Sequence, residues 1–274
     1  MRFVRPALPA ILIAAASAVS ADARTLVPHR AVYDLALEKA SDRSGITGMS
    51  GRMVYEFAGS ACDGYTVTFR FVTRIDTPDL SRLTDQQTTT FEEGGGESFS
   101  FVTRTFVDQV PDKELKGTAR LSGDSTEVVL EKPQAQELTL EATQFPTQHL
   151  LELIGKAEKG DTFYETTIFD GSEDADTVMT TSVVIGNEAP TKASDPEFGA
   201  IEPLAKELFW PVDIAYFDLS ENQADGEELP SYRISFKLHE SGVTRDLVMD
   251  YGDFSMSGRL VDLAMFEAPD DCAR

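Results

Sequence analysis

Residues 65–75 read YTVTFRFVTRI, and this stretch indicates the fold class because apolar and polar side chains alternate along it. One face of the stretch carries the side chains of Tyr65, Val67, Phe69, Phe71 and Ile75. The opposite face carries Thr66, Thr68, Arg70 and Arg74. A period of two residues is typical of a β-strand with one buried face. The sequence therefore predicts a strand here, in a sheet that covers an apolar core.

The same alternation recurs along the chain and predicts further strands. These strands are expected at residues 31–37, where Val32 and Leu35 break the strict alternation, and at residues 99–106, 232–238 and 254–266. Glycine-rich turns at residues 94–96 and 122–124 separate strands at the spacing of hairpins. Because short turns join antiparallel neighbours, we predict a mainly β protein built on a large, curved antiparallel sheet or open barrel.

One segment departs from the strand pattern and predicts a helix. Phe145, Pro146 and Thr147 lead into residues 148–160, which end on a glycine. Apolar side chains recur there at helical spacing, at Leu150, Leu153, Ile154 and Ala157. We expect this helix to pack against the sheet, with the first three of these side chains buried on its inner face. Residues 201–208 predict a second, shorter helical turn.

The N-terminus predicts export. Arg2 and Arg5 precede a short apolar core at residues 7–19, and small residues follow at the positions of a cleavage site. We therefore expect a signal peptide over residues 1–21, with cleavage after residue 23 as the alternative; an uncleaved anchor is the other interpretation. The apolar core is too short to span a bilayer and no later segment does so, which predicts a protein that is not integral to the membrane. The remaining residues 24–274 predict one β domain, whose best candidate boundary is residues 186–205.

Two cysteines, Cys62 and Cys272, are the only ones in the chain. In an exported protein, a lone pair of cysteines predicts a structural disulfide. This bridge would join the C-terminus to the first quarter of the chain, and the chain-entropy argument gives it a stabilisation of about 5 kcal/mol.

The charge of the chain excludes two classes of partner. The formal net charge is −23, with 47 acidic and 24 basic residues, and no run of Lys or Arg stands out. Such a charge repels nucleic acid and anionic lipid surfaces.

Seven short motifs, taken in order, resemble a known family. They are PHRAVYDL at 28–35, GRMVYEF at 51–57, CDGY at 62–65, FPTQH at 145–149, FDGS at 169–172, WPV at 210–212 and DYGDF at 250–254. Together they are similar to the EipB-like family of periplasmic envelope integrity proteins, over nearly the whole mature chain. The resemblance implies a β-spiral, which is a long antiparallel sheet wound into a broken barrel with a helix in it. It also implies a family disulfide at Cys62 and Cys272, a shape like that of periplasmic lipoprotein carriers, and a periplasmic partner with tetratricopeptide repeats.

The sequence contains little that predicts catalysis. His29, His149 and His239 are the only histidines, and the motifs of nucleophile elbows, zinc proteases, redox dithiols and phosphate loops are absent from the sequence. His149 stands near the start of the predicted helix, where a capping or packing role is expected. The family resemblance also brings no catalytic residues. We therefore predict a protein that is not an enzyme and that needs no cofactor.

Two acidic motifs and one basic pair have structural interpretations. Residues 170–176 place oxygen ligands at alternate positions, but Ala175 replaces the turn glycine of a calcium loop and Thr181 replaces its closing glutamate. Asp250 and Asp253 flank a glycine that predicts a turn, so no metal site is expected at either place. Arg70 and Arg74 share a strand face, which predicts salt bridges with acidic side chains or, alternatively, a wet interior.

Three classes of function remain open: a binding factor, a carrier and a hydrolase, and the last is disfavoured by the scarcity of histidine. The first is a non-enzymatic periplasmic factor that supports envelope integrity by binding another envelope protein or component. The alternative is a carrier of a lipid, an acylated peptide or an apolar peptide. Candidate ligand-lining residues for the carrier are Phe69, Phe71, Phe99, Phe101 and Leu153. An open cavity at these residues would favour the carrier, whereas a filled interior would favour the binding factor.

Overall fold

The computed structural model describes residues 26–218 and 229–267. Within these residues the chain forms fifteen strands, one α-helix, α1 (Pro146–Glu158), and a 3-10 turn (Glu202–Leu204). The strands are β1 (His29–Ala40), β2 (Gly48–Ser60), β3 (Gly64–Asp76), β4 (Ser81–Glu92), β5 (Ser98–Val107), β6 (Val110–Ser122), β7 (Ser125–Lys132), β8 (Gln136–Glu141), β9 (Phe163–Ile168), β10 (Met179–Ile185), β11 (Ala189–Pro190), β12 (Leu208–Phe217), β13 (Tyr232–His239), β14 (Thr244–Asp250) and β15 (Phe254–Met265).

All of these strands belong to one antiparallel sheet. From β1 to β8 each strand pairs with the next in sequence, and β1 also pairs with β15. The sheet continues from β15 through β14, β13, β12 and β10 to β9, while the short β11 pairs with β12. Its two edge strands, β8 and β9, do not pair with each other, so the sheet does not close. This arrangement confirms the predicted fold class, a mainly β protein with an open, barrel-like antiparallel sheet and a helix.

The predicted strands are present where alternation was strongest. Strand β3 contains the whole of residues 65–75, and the four other predicted strands coincide with β1, β5, β13 and β15 to within two or three residues at each end. Val32 lies on the opposite face of β1 from Ala31 and Tyr33, and it is buried there. The register between β1 and β15 shifts between Val32 and Tyr33 because β15 has one extra residue at this point, which is a β-bulge on β15.

Helix α1 lies in the interior, and its buried face follows the predicted spacing. Leu153 and Ile154 are 1% and 2% exposed, so their predicted burial is confirmed, whereas Leu150 is only half-buried. The helix packs in a core cluster with residues of β2, β3, β9, β10, β12 and β13. The second predicted helical turn is the 3-10 turn, which places Leu204 in a separate cluster.

The start of the helix is held by a side chain from the sheet. Phe145 occupies the N-cap position and offers no side-chain hydrogen bond. Instead the carboxylate of Glu92, at the end of β4, accepts hydrogen bonds from the backbone N–H groups of Thr147 at 2.7 Å and Gln148 at 3.0 Å. A carboxylate at this end also suits the helix dipole. Glu92 therefore fixes where α1 begins relative to β4.

The signal peptide predicted over residues 1–21 and the predicted disulfide partner Cys272 lie outside the described residues, so both remain predictions. Within the described residues no helix is long and apolar enough to cross a membrane.

Candidate functional site

One end of strands β4 and β5 covers a filled aromatic core. Phe99 and Phe101 are each 1% exposed, and their rings pack against those of Phe145 and Phe169. The Phe99 and Phe145 ring centres are 5.3 Å apart, and those of Phe101 and Phe169 are 5.9 Å apart. These distances are those of packed aromatic side chains, so Phe99 and Phe101 lie in solid core with no open cavity between them.

The other end of the same strands is more accessible. Phe69 on β3 is directly opposite Thr88 on β4, which is opposite Thr103 on β5, so the three side chains share the inner face. All three are half-buried, and the hydroxyl groups of Thr88 and Thr103 are 2.9 Å apart. In the next row Phe71 is opposite Gln86, and both are also half-buried. We call these five residues the inner wall.

The five predicted ligand-lining residues therefore separate into three places. Phe69 and Phe71 lie on the inner wall, with ring centres 5.8 Å apart. Phe99 and Phe101 lie in the filled aromatic core, and Leu153 lies in the cluster around the helix. Strand alternation correctly placed the four phenylalanines on the inner face, but it carried no information about what covers each of them.

The three histidines are all buried, and each contacts another group of the chain. His29 Nδ1 is 2.7 Å from the backbone oxygen of Val27, and His149 Nε2 is 3.4 Å from Thr181 Oγ1. Burial lowers the pKa of His149 to about 4, although the Glu152 carboxylate acts in the opposite direction. Burial also lowers the pKa of His29, against the effect of its bond to Val27. At neutral pH these imidazoles are uncharged packing groups that solvent scarcely reaches.

His239 belongs to a buried charge network that the sequence analysis did not predict. Its Nε2 atom accepts a hydrogen bond from Nε of Arg245 at 3.0 Å, and Arg245 is fully buried. The Arg245 guanidinium also donates to Asp195 at 2.8 Å and to Thr191 at 3.0 Å. Burial and the Arg245 charge lower the pKa of His239 to about 4. No motif or periodicity signals such a network, because its members come from distant parts of the chain.

The acidic side of this network anchors residues 191–207, most of the segment that the sequence offered as a domain boundary. Burial alone would raise the pKa of Asp195, but hydrogen bonds from the Glu197 backbone, Lys237 and Arg245 outweigh it and lower the pKa to about 2. The Glu197 carboxylate accepts the backbone N–H groups of Leu260 at 2.6 Å and Asp246 at 3.1 Å. The pairing of β14 with β15 ends at the pair Leu247 and Gly258, and Asp246 and Leu260 lie just past that end on their own strands. Glu197 thus satisfies donors that the sheet leaves unpaired.

The other polar candidates have structural roles. Asp170 accepts a hydrogen bond from the backbone of Ser172, and Asp174 pairs with Lys113. Asp253 pairs with Arg43, and Asp250 accepts the backbone N–H of Gly252 in the predicted turn. Among residues 26–218 and 229–267, no group of three or more His, Cys, Asp and Glu side chains is arranged to hold a metal ion.

Arg70 and Arg74 lie on the outer face of β3, opposite to Phe69 and Phe71. Arg70 makes two hydrogen bonds to Asp85 on the neighbouring strand, at 3.1 and 2.8 Å. These contacts lower the pKa of Asp85. Arg74 is exposed. The predicted salt bridge is therefore confirmed for Arg70, and neither arginine lines the interior.

A cleft of about 390 Å³ opens at the C-terminal end of helix α1. It is lined by residues 157–162, residues 186–188, Trp210 and Glu240. We call it the end cleft. None of the predicted ligand-lining residues contributes to it.

The unclosed sheet and its interior helix define a barrel-like β protein. A comparison with solved structures finds a protein with the same kind of fold. A crystal structure from Brucella abortus, described as a β-barrel-like protein of a domain of unknown function, is 54% identical and superimposes with a TM-score of 0.84. That similarity covers 89% of this chain and all of the other.

The sequence comparisons give the particular family. The cell envelope integrity protein EipB of Brucella abortus (strain 2308) is 55% identical over 254 residues, which cover 92% of this chain and 89% of that protein. Residues 20–267 match the family described as EipB-like. The chain belongs to the EipB-like family and is a cell envelope integrity protein, which confirms the family resemblance found in the motifs.

Proposed function

We propose that this protein supports the cell envelope by binding another envelope protein in the periplasm, without catalysing a reaction. The observation that carries the proposal is the inner wall. Phe69, Phe71, Thr88 and Thr103 are half-buried on the inner face of the sheet, and their accessible parts offer a surface of mixed apolar and hydroxyl character. The two phenylalanines pack on their other side against the core cluster beneath β1 and β15. A surface of this kind suits contact with another chain.

The histidines support a binding role over catalysis. A general base must reach the proton that it removes. His29, His149 and His239 are each at most 5% exposed, and burial lowers the pKa of all three. No other feature of the sequence provides an activated nucleophile, so binding is the function that this arrangement supports best.

The expected partner is a periplasmic protein, and the family resemblance points to one with tetratricopeptide repeats. The predicted signal peptide supports the periplasmic location. The net charge of −23 supports a protein partner over nucleic acid or an anionic lipid surface.

The carrier of a lipid or apolar peptide is the second candidate, and one observation favours it. Phe69 and Phe71 are half-buried on the inner wall, where an apolar chain would find two aromatic side chains. The filled core around Phe99 and Phe101 counts against it, because a carrier needs a cavity that encloses most of its ligand.

The test places a bulky charge on the inner wall. Thr88→Arg would obstruct this surface, and Thr89→Arg is the matched control because Thr89 is exposed on the opposite face of the same strand. Each variant is expressed in cells that lack the protein, and survival in detergent is measured. The partner is identified by crosslinking in intact cells followed by mass spectrometry of proteins and lipids.

We expect Thr89→Arg to restore detergent resistance and to retain the crosslinked partner, and Thr88→Arg to lose both while remaining folded. Recovery of a lipid in place of a protein would favour the carrier. Full function of a folded Thr88→Arg variant would contradict the role of the inner wall.

A further inference from the structure

Strand β9 is one of the two edges of the sheet, and the first half of its free side is open. Just before β9 begins, the backbone N–H of Ile185 donates a hydrogen bond to the backbone oxygen of Thr162 at 2.9 Å. Because bonded and non-bonded pairs alternate in an antiparallel ladder, the backbone groups of Phe163 and Glu165 point away from β10. These groups bond to no other residue in the described part of the chain. They therefore offer two donors and two acceptors to another strand.

Both ends of this open stretch are already occupied. Just past β9, the N–H of Phe169 donates to the backbone oxygen of Gln144 at 3.0 Å, and Gln144 forms an isolated bridge with Ile168. Before β9, the N–H of Asp161 donates to the backbone oxygen of Lys156 at 3.0 Å, in the last turn of the helix. The open edge is thus short and has defined ends, so it suits an extended segment of a few residues.

An exposed apolar pair lies on the outer face beside this edge. Phe163 is 58% exposed, and Val184, directly opposite it on β10, is 50% exposed. The side chains of a non-hydrogen-bonded pair lie close together, so these two form one apolar surface. An exposed edge strand with apolar side chains is a template for pairing with another chain.

The other edge strand, β8, has a different outer face. Its outward side chains, those of Glu137, Thr139 and Glu141, are all exposed, and two of them are charged. Charged side chains on an edge strand discourage pairing with other strands. The outer face of β9 begins with Phe163 and carries one charge, that of Glu165. The two edges of the sheet therefore differ in the property that controls strand addition.

Glu165 indicates the chemistry of the strand that this edge would accept. Its exposed carboxylate accepts a hydrogen bond from Ser182 Oγ at 3.0 Å, but it pairs with no cation among residues 26–218 and 229–267. A basic side chain directly opposite would form a favourable cross-strand pair. A second copy of this chain is a poor occupant, because two molecules with a net charge of −23 repel each other.

We propose that the open edge, residues 163–165 of β9, binds an extended segment of a partner protein as an added antiparallel strand. An apolar side chain of the segment packs against Phe163 and Val184, and a basic side chain lies opposite Glu165. The backbone hydrogen bonds provide affinity, and the side chains provide specificity. The added strand is antiparallel because that pairing is the more stable one and continues the pattern of the sheet. This inference rests on the proposed binding function and adds a second contact, separate from the inner wall.

The test uses a short peptide, acetyl-Thr-Lys-Thr-Val-Thr-amide, whose lysine would lie opposite Glu165 and whose valine would lie opposite Phe163. A second peptide has the same side chains but carries N-methyl groups on the backbone nitrogens of its lysine and valine, so it cannot donate to this edge. Each peptide is titrated into the isotope-labelled mature protein, and the NMR amide signals of Phe163 and Glu165 are followed. We expect saturable shifts with the first peptide, and binding of the N-methylated peptide that is weaker by about tenfold.

Two variants at one position separate the backbone from the side chain. Glu165→Ala removes the carboxylate but keeps the N–H group, and it should weaken binding of the first peptide by about threefold. Glu165→Pro also removes the outward N–H group and places a ring on the edge, so it should weaken binding by about a further tenfold. Proline is tolerated in an edge strand where the N–H group faces outward, so we expect β9 to keep its pairing with β10.

The proposal would be overturned by no saturable shift, by equal binding of the two peptides, or by equal weakening in Glu165→Ala and Glu165→Pro. Shifts of the same signals that grow with protein concentration without peptide, together with a dimer in sedimentation, would also overturn it, because a second copy would then occupy the edge. The comparison of the two peptides uses the unaltered chain, so it holds however the variants fold. Because the inner-wall test uses Thr88→Arg, failure of the peptide experiment leaves the proposed function standing.

Discussion

Nη1 of Arg245 lies 2.8 Å from Oδ2 of Asp195, so a fully buried guanidinium on strand β14 holds the segment that runs between β11 and β12. Lys237 on the adjacent strand reaches the same carboxylate at 3.0 Å. The segment also places Ile201 and Leu204 in the core cluster beneath β1 and β15. Ionic contacts and apolar burial therefore act together to attach this long connection to the sheet.

Arg245→Ala should destabilise the protein by about 3–5 kcal/mol, because the buried carboxylates of Asp195 and Glu197 both lose the guanidinium and only Asp195 keeps another cation, Lys237. The free energy of unfolding is measured in urea. Arg104→Ala is the control, since it breaks an exposed pair with Glu114 and should cost at most about 1 kcal/mol. Equal losses of unfolding free energy in the two variants would mean that the buried network stabilises the protein no more than an exposed ion pair does.

Glu92→Gln should destabilise the helix start by about 1–2 kcal/mol. The amide has one oxygen, so it cannot accept both the Thr147 and the Gln148 N–H groups as the carboxylate does. Faster hydrogen exchange at these two amides would report the loss. Glu93→Gln, at an exposed neighbouring position, should show neither effect.

Leu153→Ala should cost about 2–5 kcal/mol, because the side chain is 1% exposed in the cluster around the helix and its removal leaves a cavity. Leu151→Ala removes a half-buried leucine from the same helix and should cost less. Thermal unfolding of both variants, followed by circular dichroism, makes the comparison; a larger loss in Leu151→Ala would contradict this orientation of the helix.

Stability should fall as the pH drops from about 6.5 toward 4. Burial lowers the pKa of His149 and of His239 to about 4, from 6.5 in the unfolded chain. Between these values the unfolded state binds more protons, so acid favours unfolding; at pH 4 the effect is on the order of 3 kcal/mol for each imidazole. The free energy of unfolding is measured in urea at several pH values. We expect it to depend less on pH in His149→Gln, because this variant lacks one of the two imidazoles. An identical slope in the variant would show that His149 does not contribute.

The mature protein should contain no free thiol, because Cys62 and Cys272 are the only cysteines and the protein is expected to be exported. Thiol titration in denaturant without reductant checks this directly. Cys272→Ala should lower stability by about 5 kcal/mol while leaving the β content unchanged. Two free thiols in the mature protein would contradict the bridge.

The local spacing of apolar and polar residues was sufficient to predict much of the fold. Alternation over residues 65–75 predicted β3, and the spacing of Leu153 and Ile154 predicted both the helix and its buried face. These features depend on neighbouring residues, whose side-chain directions follow from backbone geometry. The order of the motifs also sufficed to identify the family.

Contacts between distant residues were decided by the tertiary structure. Glu92 meets the start of α1 across 55 residues of sequence, and Arg245 meets Asp195 across 50. Alternation assigned Phe71 and Phe99 to the same inner face, yet one lies on the half-open inner wall and the other in solid core. A side chain's face is a property of its own strand, whereas its burial depends on which other elements pack over it. Those elements come from remote parts of the chain, so only the folded molecule reveals them.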